Sequence, residues 1–241
     1  MRRSHSLLHS FKANDHGRDF IAGDVHGHFE TLEKLLKKAS FQEETDRLFL
    51  TGDLIDRGPL SHKVLEWLAK PWLHSVKGNH EQMAIDCVAG IGDPLRHARN
   101  GGKWFYERTT EDRRQIAERL ALLPIAMEIQ LKDGGRAGVI HAEPPGWERG
   151  LNWSQSAERL IATEPQMQRD ALTQALYSRV RINTQDCRPV KGVKILYAGH
   201  STVPEPLLLG NTIYIDTGCS FPDGSLTLIE MSSGRFFSLS H

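Results

Sequence analysis

The sequence has few cysteines, no long apolar run and no excess of charge of either sign. Each of these absences excludes a class of protein. The three cysteines, Cys87, Cys187 and Cys219, are odd in number and form no Cys-x-x-Cys pair. They predict reduced thiols of a cytoplasmic protein rather than a disulfide framework. No apolar run approaches the ~20 residues of a membrane-spanning helix. Lys plus Arg equals Asp plus Glu at 30 each, so no global field recruits nucleic acid or an anionic membrane.

Length and composition allow one complete core. A chain of 241 residues with 39% hydrophobic side chains is an ordinary size for one domain. The start is basic without a sustained apolar stretch, which argues against a signal peptide. We therefore predict a polar, mobile lead-in over residues 1–17 and a single catalytic domain over 18–241, with the oligomeric state left open.

Strand and helix patterns alternate along the first half of the chain. Strands are predicted at 20–22, 47–51 and 72–76, and helices at 29–39, 62–70 and 111–123. On either side of Asp133-Gly134-Gly135, apolar residues occupy alternate positions, which predicts two strands joined by a tight turn. Such a hairpin makes the sheet at least partly antiparallel. Later segments predict helices at 155–162 and 168–178 and strands at 194–198, 212–215, 225–231 and 235–239.

Three glycine-containing motifs each follow a predicted strand. They are Gly23-Asp24-Val25-His26-Gly27, Gly52-Asp53-Leu54-Ile55-Asp56-Arg57-Gly58 and Gly78-Asn79-His80-Glu81. Two later strands also end at histidines, His141 and His200. Sites in open α/β sheets form at the carboxyl ends of strands, so we expect these five strand ends to share one site.

The side chains delivered there predict a metal centre. The candidate ligands are two carboxylates, three imidazoles and one amide: Asp24, His26, Asp53, Asn79, His141 and His200. Nitrogen and oxygen ligands without a thiolate suit manganese, iron or zinc better than calcium. Asp53, in the central motif, is the expected bridge between two ions roughly 3.5–4 Å apart.

The three motifs resemble those of the phosphoprotein phosphatase family of calcineurin-like metallophosphoesterases, in particular its bacteriophage and enterobacterial members. The resemblance covers nearly the whole chain from Phe20 and includes Gly101-Gly102-Lys103-Trp104-Phe105 and Ile140-His141-Ala142. It implies an α/β fold in which a sandwich of two mixed β-sheets is flanked by α-helices.

The resemblance also implies how the ligands are divided between two divalent ions, taken as Mn²⁺ with Fe or Zn as alternatives. The first ion would be held by Asp24, His26 and Asp53. The second would be held by Asp53, Asn79, His141 and His200.

The same resemblance assigns the catalytic groups. His80 would be the general acid with Asp56 orienting it, and Arg57 would bind the phosphate, with Asn79 also at the substrate. The family's second phosphate arginine lies in a Trp-x-Arg-like segment, where this chain has Tyr177-Ser178-Arg179. We therefore assign that role to Arg179, with Arg181 as the alternative.

The implied reaction is in-line attack on a phosphomonoester by a metal-bridging hydroxide, with His80 protonating the leaving group. The expected partner is a phosphorylated protein, on serine or threonine, with phosphotyrosine also open. One alternative is a symmetrical dinucleoside tetraphosphate hydrolase, which shares the three motifs. Another is a catalytically silent phosphate-binding module, against which the complete ligand set argues.

Several of these residues also have ordinary structural interpretations. Asp56 and Arg57 could be a turn carboxylate and its salt-bridge partner, although Gly58-Pro59 favours a tight exposed loop. Glu81 is expected to cap the following helix rather than to act as an acid or base. The remaining histidines, His74 and His97 among them, are predicted to be solvated or structural.

Overall fold

The computed structural model describes residues 7–240, whose strands form two β-sheets. Numbered along the chain, the strands of the 5-stranded sheet are β2 (Asp19–Ala22), β3 (Arg47–Leu50), β4 (Leu73–Ser75), β10 (Leu226–Glu230) and β11 (Phe236–Leu239). Their order is β11-β10-β2-β3-β4. Strands β2, β3 and β4 are parallel, whereas β10 pairs antiparallel with both β2 and β11.

The 6-stranded sheet is also mixed. Its strands are β1 (Leu8–Phe11), β5 (Ala126–Gln130), β6 (Arg136–Ile140), β7 (Ile195–Ala198), β8 (Leu207–Leu209) and β9 (Thr212–Tyr214). Their order is β1-β5-β6-β7-β9-β8. Strands β6, β7 and β9 run parallel, and β5–β6 is the antiparallel hairpin that the sequence predicted around Asp133.

Helices cover the outer faces of both sheets. They are α1 (Phe29–Lys38), α2 (Val64–Leu68), α3 (Asn79–Val88), α4 (Pro94–His97), α5 (Lys103–Tyr106), α6 (Thr110–Ala121), α7 (Trp153–Leu160), α8 (Pro165–Tyr177) and α9 (Val180–Thr184). Short 3₁₀ turns occupy Ser61–Lys63 and Trp147–Arg149, and a π-helical turn spans Ala98–Gly102. No helix within residues 7–240 is both long and apolar enough to cross a bilayer.

The two sheets pack against each other through one face and against helices through the other. Ile21 and Phe49 point between the sheets and meet Met127, Val139 and Tyr197 of the opposite sheet. Their neighbours along β2 and β3 point outward into a cluster with α1, α2 and α6. Alternate residues of a strand face opposite sides, so burial on both sides explains why these strands are continuously apolar.

Strand β1 differs from the sequence prediction. Residues 1–17 were expected to be a mobile lead-in, but Leu8–Phe11 pair in parallel with β5, in register from Leu8 opposite Ala126 to Phe11 opposite Ile129. The Phe11 ring also meets the ring of Phe49 edge-on at 5.1 Å. A four-residue edge strand carries too little alternation to be recognised, and the sheet supplies its pairing. The predicted lead-in at residues 1–6 lies outside the described residues.

The register of each sheet aligns the carboxyl ends of its neighbouring parallel strands. Ala22 lies opposite Leu50, and Leu50 lies opposite Ser75, so the loops after β2, β3 and β4 leave at the same edge. In the other sheet, Ile140 lies opposite Ala198, and the loops after β6 and β7 leave together.

Candidate active site

The residues predicted at five strand ends meet at one edge of the sandwich. They surround a cavity of about 190 Å³ whose lining includes Asp24, His26, Asp53, Asn79 and His200. His141 is fully buried, with its ring Nε2 3.0 Å from Asn79 Oδ1. A larger cavity of about 350 Å³ is lined by residues from the opposite strand ends and contains none of these side chains.

The loops that carry these side chains turn sharply. His26, Asp53, Asp56, Arg57 and His200 all have positive φ, between 44° and 72°. Such backbone conformations are unfavourable for residues with a Cβ and concentrate at functional sites.

Two glycines are explained by the carboxylates that pass beside them. A Cβ on Gly78 would lie 2.1 Å from Asp53 Oδ1, and a Cβ on Gly199 would lie 2.0 Å from Asp24 Oδ1. Glycine therefore precedes Asn79 and His200 because only glycine leaves room for these carboxylates.

The three candidate imidazole ligands are oriented in the same way. The Nδ1 atoms of His26 and His141 donate to the carbonyls of Ile55 (2.9 Å) and Thr51 (2.8 Å), and the His200 ring bonds to the backbone of Tyr177. A neutral ring that donates from Nδ1 has a free lone pair at Nε2, which is the arrangement of a metal-binding histidine.

Burial keeps these rings neutral. It lowers the pKa of His26 and of His200 to about 3, and it lowers the pKa of His141 as well. His200 Nε2 is a buried nitrogen without a hydrogen-bond partner among the described residues. His141 Nε2 faces an oxygen of Asn79 while its Nδ1 already donates, so two acceptors face each other. A cation between such atoms would satisfy them, and the donor set therefore fits a metal.

Asp53 lies between two groups of possible ligands. Its Oδ2 is 3.7 Å from His26 Nε2 and 3.8 Å from His80 Nε2, and its Oδ1 is 3.5 Å from His141 Nε2. Two sets, His26-Asp53-His80 and Asp53-His141-His200, each have ligand atoms within 4.8 Å of one another. Burial opposes the charge of Asp53, yet the charge of His80 and the hydrogen bond from the His80 backbone N–H hold the pKa of Asp53 below the ordinary value. An ionised Asp53 common to both sets is the geometry expected of a bridging ligand.

Asp24 lies in the same cavity beside two other carboxylates. Its oxygens accept from Thr51 Oγ1 and from the backbone N–H of His200, both at 2.9 Å. Burial, and then the charges of Asp216 and Asp53, raise the pKa of Asp24 well above its usual value. This cluster of negative charge again suits cations. Asp216 follows β9 and was not among the predicted site residues.

His80 and Asp56 form a buried pair. His80 Nδ1 donates to Asp56 Oδ2 at 2.7 Å, and Asp56 is fully buried. Burial alone would lower the pKa of His80, but the carboxylates of Asp53 and Asp56 raise it above the ordinary value of 6.5. This arrangement favours a protonated ring whose Nε2 faces the cavity.

The two predicted arginines line the same cavity. Arg57 Nη1 lies 3.0 Å from His26 Nε2 and Nη2 lies 3.2 Å from His80 Nε2, and Arg179 donates to the His200 carbonyl at 2.9 Å. Arg181, the alternative to Arg179, is fully buried and donates to the carbonyls of Asp186 and Leu209. The geometry therefore favours Arg179.

Glu81 ties two of the loops together. Its carboxylate accepts from the backbone N–H groups of Asp53, Gly78 and Leu54, each at 2.8 Å. Gly78 is the N-cap residue of α3, and the bond from its backbone N–H to the Glu81 side chain caps the start of that helix, as the sequence predicted.

His97 and Trp104 were missed as site residues. His97 was predicted to be solvated or structural, but it is fully buried and its ring contacts Asp56 at 2.9 Å. Trp104 Nε1 donates to Asp56 as well, at 2.8 Å. These contacts span more than 40 residues, with separations of 41 and 48, so no local pattern could reveal them.

Comparison with known proteins agrees with this geometry. Residues 20–214 match the calcineurin-like phosphoesterase family. The chain belongs to that family. It is 33% identical over 236 residues to serine/threonine-protein phosphatase 1 of Salmonella typhimurium (strain LT2), a match covering 96% of this chain and 100% of the relative.

Other proteins are similar over less of the chain or in fold alone. The symmetrical bis(5'-nucleosyl)-tetraphosphatase of Hamiltonella defensa is 47% identical over 76 residues, which is 30% of this chain and 27% of that protein. The crystal structure of a candidate diadenosine tetraphosphatase superposes with a TM-score of 0.66 at 22% identity, covering 96% of each chain. That likeness confirms the predicted sandwich of two mixed sheets flanked by helices.

Family membership establishes the class of chemistry. The protein is a metallophosphoesterase, a hydrolase that acts on phosphoric monoesters. The family implies divalent metal ions, and the buried His and Asp groups described above could hold them.

Proposed function

We propose that the protein is a serine/threonine phosphatase with two divalent metal ions that share Asp53 as a ligand. The observation that carries the chemistry is the position of Asp53 between two groups of imidazoles. The proposed ligands of the first ion are Asp24, His26 and Asp53. Those of the second are Asp53, Asn79, His141 and His200. Nitrogen and oxygen donors favour Mn²⁺, with Fe or Zn as alternatives.

Within this proposal, the bound cations supply Lewis-acid activation of water and neutralise charge on the phosphoryl group. Arg57 and Arg179 bind phosphoryl oxygens through guanidinium groups that already line the cavity. His80 donates a proton from Nε2 to the leaving oxygen, while its Nδ1 stays bonded to Asp56. A serine or threonine alkoxide is a poor leaving group and therefore needs this proton.

The extent of the matches supports a phosphoprotein as substrate. The similarity to the Salmonella serine/threonine phosphatase spans the whole of that relative, whereas the similarity to the tetraphosphatase spans 27% of it. The three free cysteines, Cys87, Cys187 and Cys219, support a cytoplasmic location.

Hydrolysis of competing substrates by the Mn²⁺-loaded protein tests the proposal. We expect kcat/KM for phosphoserine and phosphothreonine peptides to exceed that for diadenosine tetraphosphate by ~10-fold or more, a difference of about 1.4 kcal/mol. The Asp53→Asn variant, purified in parallel, is the control for contaminating hydrolases. A preference for the dinucleotide would instead assign the tetraphosphatase activity, and no turnover of either substrate would indicate a silent phosphate-binding module.

A further inference from the structure

Asp56 is held by three side-chain donors rather than one. His80 Nδ1 and His97 Nε2 both donate to Oδ2, at 2.7 and 2.9 Å, and Trp104 Nε1 donates to Oδ1 at 2.8 Å. Asp56 and His97 are both fully buried. Two imidazoles therefore share one carboxylate oxygen inside the protein.

The environment of His97 determines which of its nitrogens carries the proton. The Tyr106 hydroxyl lies 3.0 Å from Nδ1 and can donate to it, which leaves Nε2 protonated and able to donate to Asp56. The ring packs against Phe105, with ring centroids 5.6 Å apart. A Cβ on Gly102 would lie 2.3 Å from the His97 ring, so the glycine makes room for it.

The same segment supports the neighbouring catalytic arginine. The backbone N–H of Arg57 donates to the Gly101 carbonyl at 3.2 Å, and a Cβ on Gly101 would lie 2.6 Å from Arg57 atoms. The π-helical turn between α4 and α5 thus packs directly beneath the loop that carries Asp56 and Arg57. Both loop residues have positive φ, at 72° and 66°, and need such support to keep that conformation.

The physical effect of His97 is on the orientation of Asp56. Trp104 holds Oδ1, and His97 holds Oδ2 through a bond that does not depend on His80, so the carboxylate keeps its direction about the Cβ–Cγ bond when the His80 ring moves. Burial alone would raise the pKa of Asp56, but the hydrogen bonds from His80 and His97 hold it below the usual value. Asp56 is therefore an ionised acceptor with a fixed direction.

We propose that His97 is a positioning residue that holds Asp56 in the orientation required to direct the His80 ring toward the leaving oxygen. This inference rests on the proposed function, in which His80 is the general acid. It extends the buried pair to a His97–Asp56–His80 chain, with Tyr106 behind it.

Leaving-group dependence separates this role from a merely structural one. General acid catalysis matters for the alkoxide of a phosphoserine peptide and much less for p-nitrophenolate. We expect His97→Leu to lower kcat on the phosphoserine peptide roughly 10-fold more than on p-nitrophenyl phosphate, with little change in KM. His97→Gln, which retains an N–H donor, should recover part of the loss.

Two further comparisons complete the experiment. In a His80→Asn background, His97→Leu should add no further leaving-group-dependent loss, because its effect passes through His80. His74→Leu is the matched control, since His74 packs between the rings of Phe11 and Phe49 away from the cleft. Proton NMR of the metal-free variants gives a second measurement. The His80 Nδ1–H resonance should be present in His97→Gln and broadened or lost in His97→Leu.

The outcomes distinguish this inference from the proposed function. Equal losses on both substrates in His97→Leu, or an unchanged effect in the His80→Asn background, would overturn the positioning role alone. If His80→Asn itself shows no leaving-group dependence, both the general-acid assignment and the inference are wrong. If His97→Leu does not fold, the smaller leaving-group-dependent loss expected of His97→Gln decides, and wild-type kinetics of His97→Gln on both substrates would overturn the role.

Discussion

Replacing Arg57 tests the proposed phosphate clamp most directly. Its guanidinium reaches two sides of the cavity, with Nη1 facing His26 Nε2 and Nη2 facing His80 Nε2. These nitrogens cannot accept from Arg57 while also binding a metal or donating a proton. We therefore expect the same two N–H groups to turn to phosphoryl oxygens in the loaded enzyme.

The magnitude follows from those two donors. Each charge-assisted hydrogen bond contributes about 1.5 kcal/mol at the low end of its usual range, so two contribute about 3 kcal/mol. Since 1.4 kcal/mol is tenfold in rate, Arg57→Ala should lower kcat/KM on a phosphopeptide by ~10²-fold. Lysine keeps the charge but not the planar fork, so Arg57→Lys should lose roughly 10-fold.

Steady-state kinetics with a phosphoserine peptide, together with metal analysis, measures this effect. The metal content should be unchanged, because Arg57 is not a proposed ligand. Arg99→Ala is the matched control, since Arg99 is an exposed arginine on the adjacent π-helical turn. Wild-type kcat/KM in Arg57→Ala with full metal content would show that the clamp does not operate.

Three other predictions test the remaining parts of the proposal. Chelator-treated protein should be inactive and should recover activity with Mn²⁺ more than with Ca²⁺. Asp53→Asn should lose both metal and turnover. If elemental analysis finds two tightly held ions in that variant, Asp53 is not the bridging ligand. Arg179→Ala should lower kcat/KM by ~10²-fold with metal content unchanged, and unaltered kinetics would mean that the second arginine lies elsewhere. Burial lowers the pKa of His74 to about 4. Below pH 6.5 this histidine is therefore protonated in the unfolded chain but still neutral in the native state, so the free energy of unfolding falls as the pH drops toward 4. Urea titrations at pH 7 and at pH 4.5 measure the free energy of unfolding. Between these two pH values the wild type should lose on the order of 2 kcal/mol more of it than His74→Phe does, and equal losses would contradict the assignment.

Many of the candidate site residues could be predicted because they lie in short contiguous motifs. Gly-Asp, Gly-Asn and Asp-Arg pairs after apolar strands predict sharp loops whose side chains suit metal and phosphate, and the sharp loops form here. The face of α1 was predicted for a similar reason, since Phe29, Leu32 and Leu35 recur at helical spacing and are buried. Such features depend only on nearby residues.

Other contacts were decided by tertiary structure alone. His141 reaches the site because β6 is carried to the same edge as β3, which brings its ring to the Thr51 carbonyl across 90 residues. Strand β1 exists because β5 offers it an edge, not because its own four residues demand a strand. His97 contacts Asp56 across 41 residues of sequence, and it is followed by a π-helical turn that the spacing of apolar residues does not predict.

The sequence by itself therefore determined the chemical groups and the local turns that present them. The tertiary structure decided their partners: which carbonyl orients each imidazole, which carboxylate lies between them and which second histidine holds Asp56. The physical reason is that a side chain's chemical identity is a local property. Its protonation and direction instead depend on burial and on hydrogen bonds that distant segments supply only after the two sheets have packed.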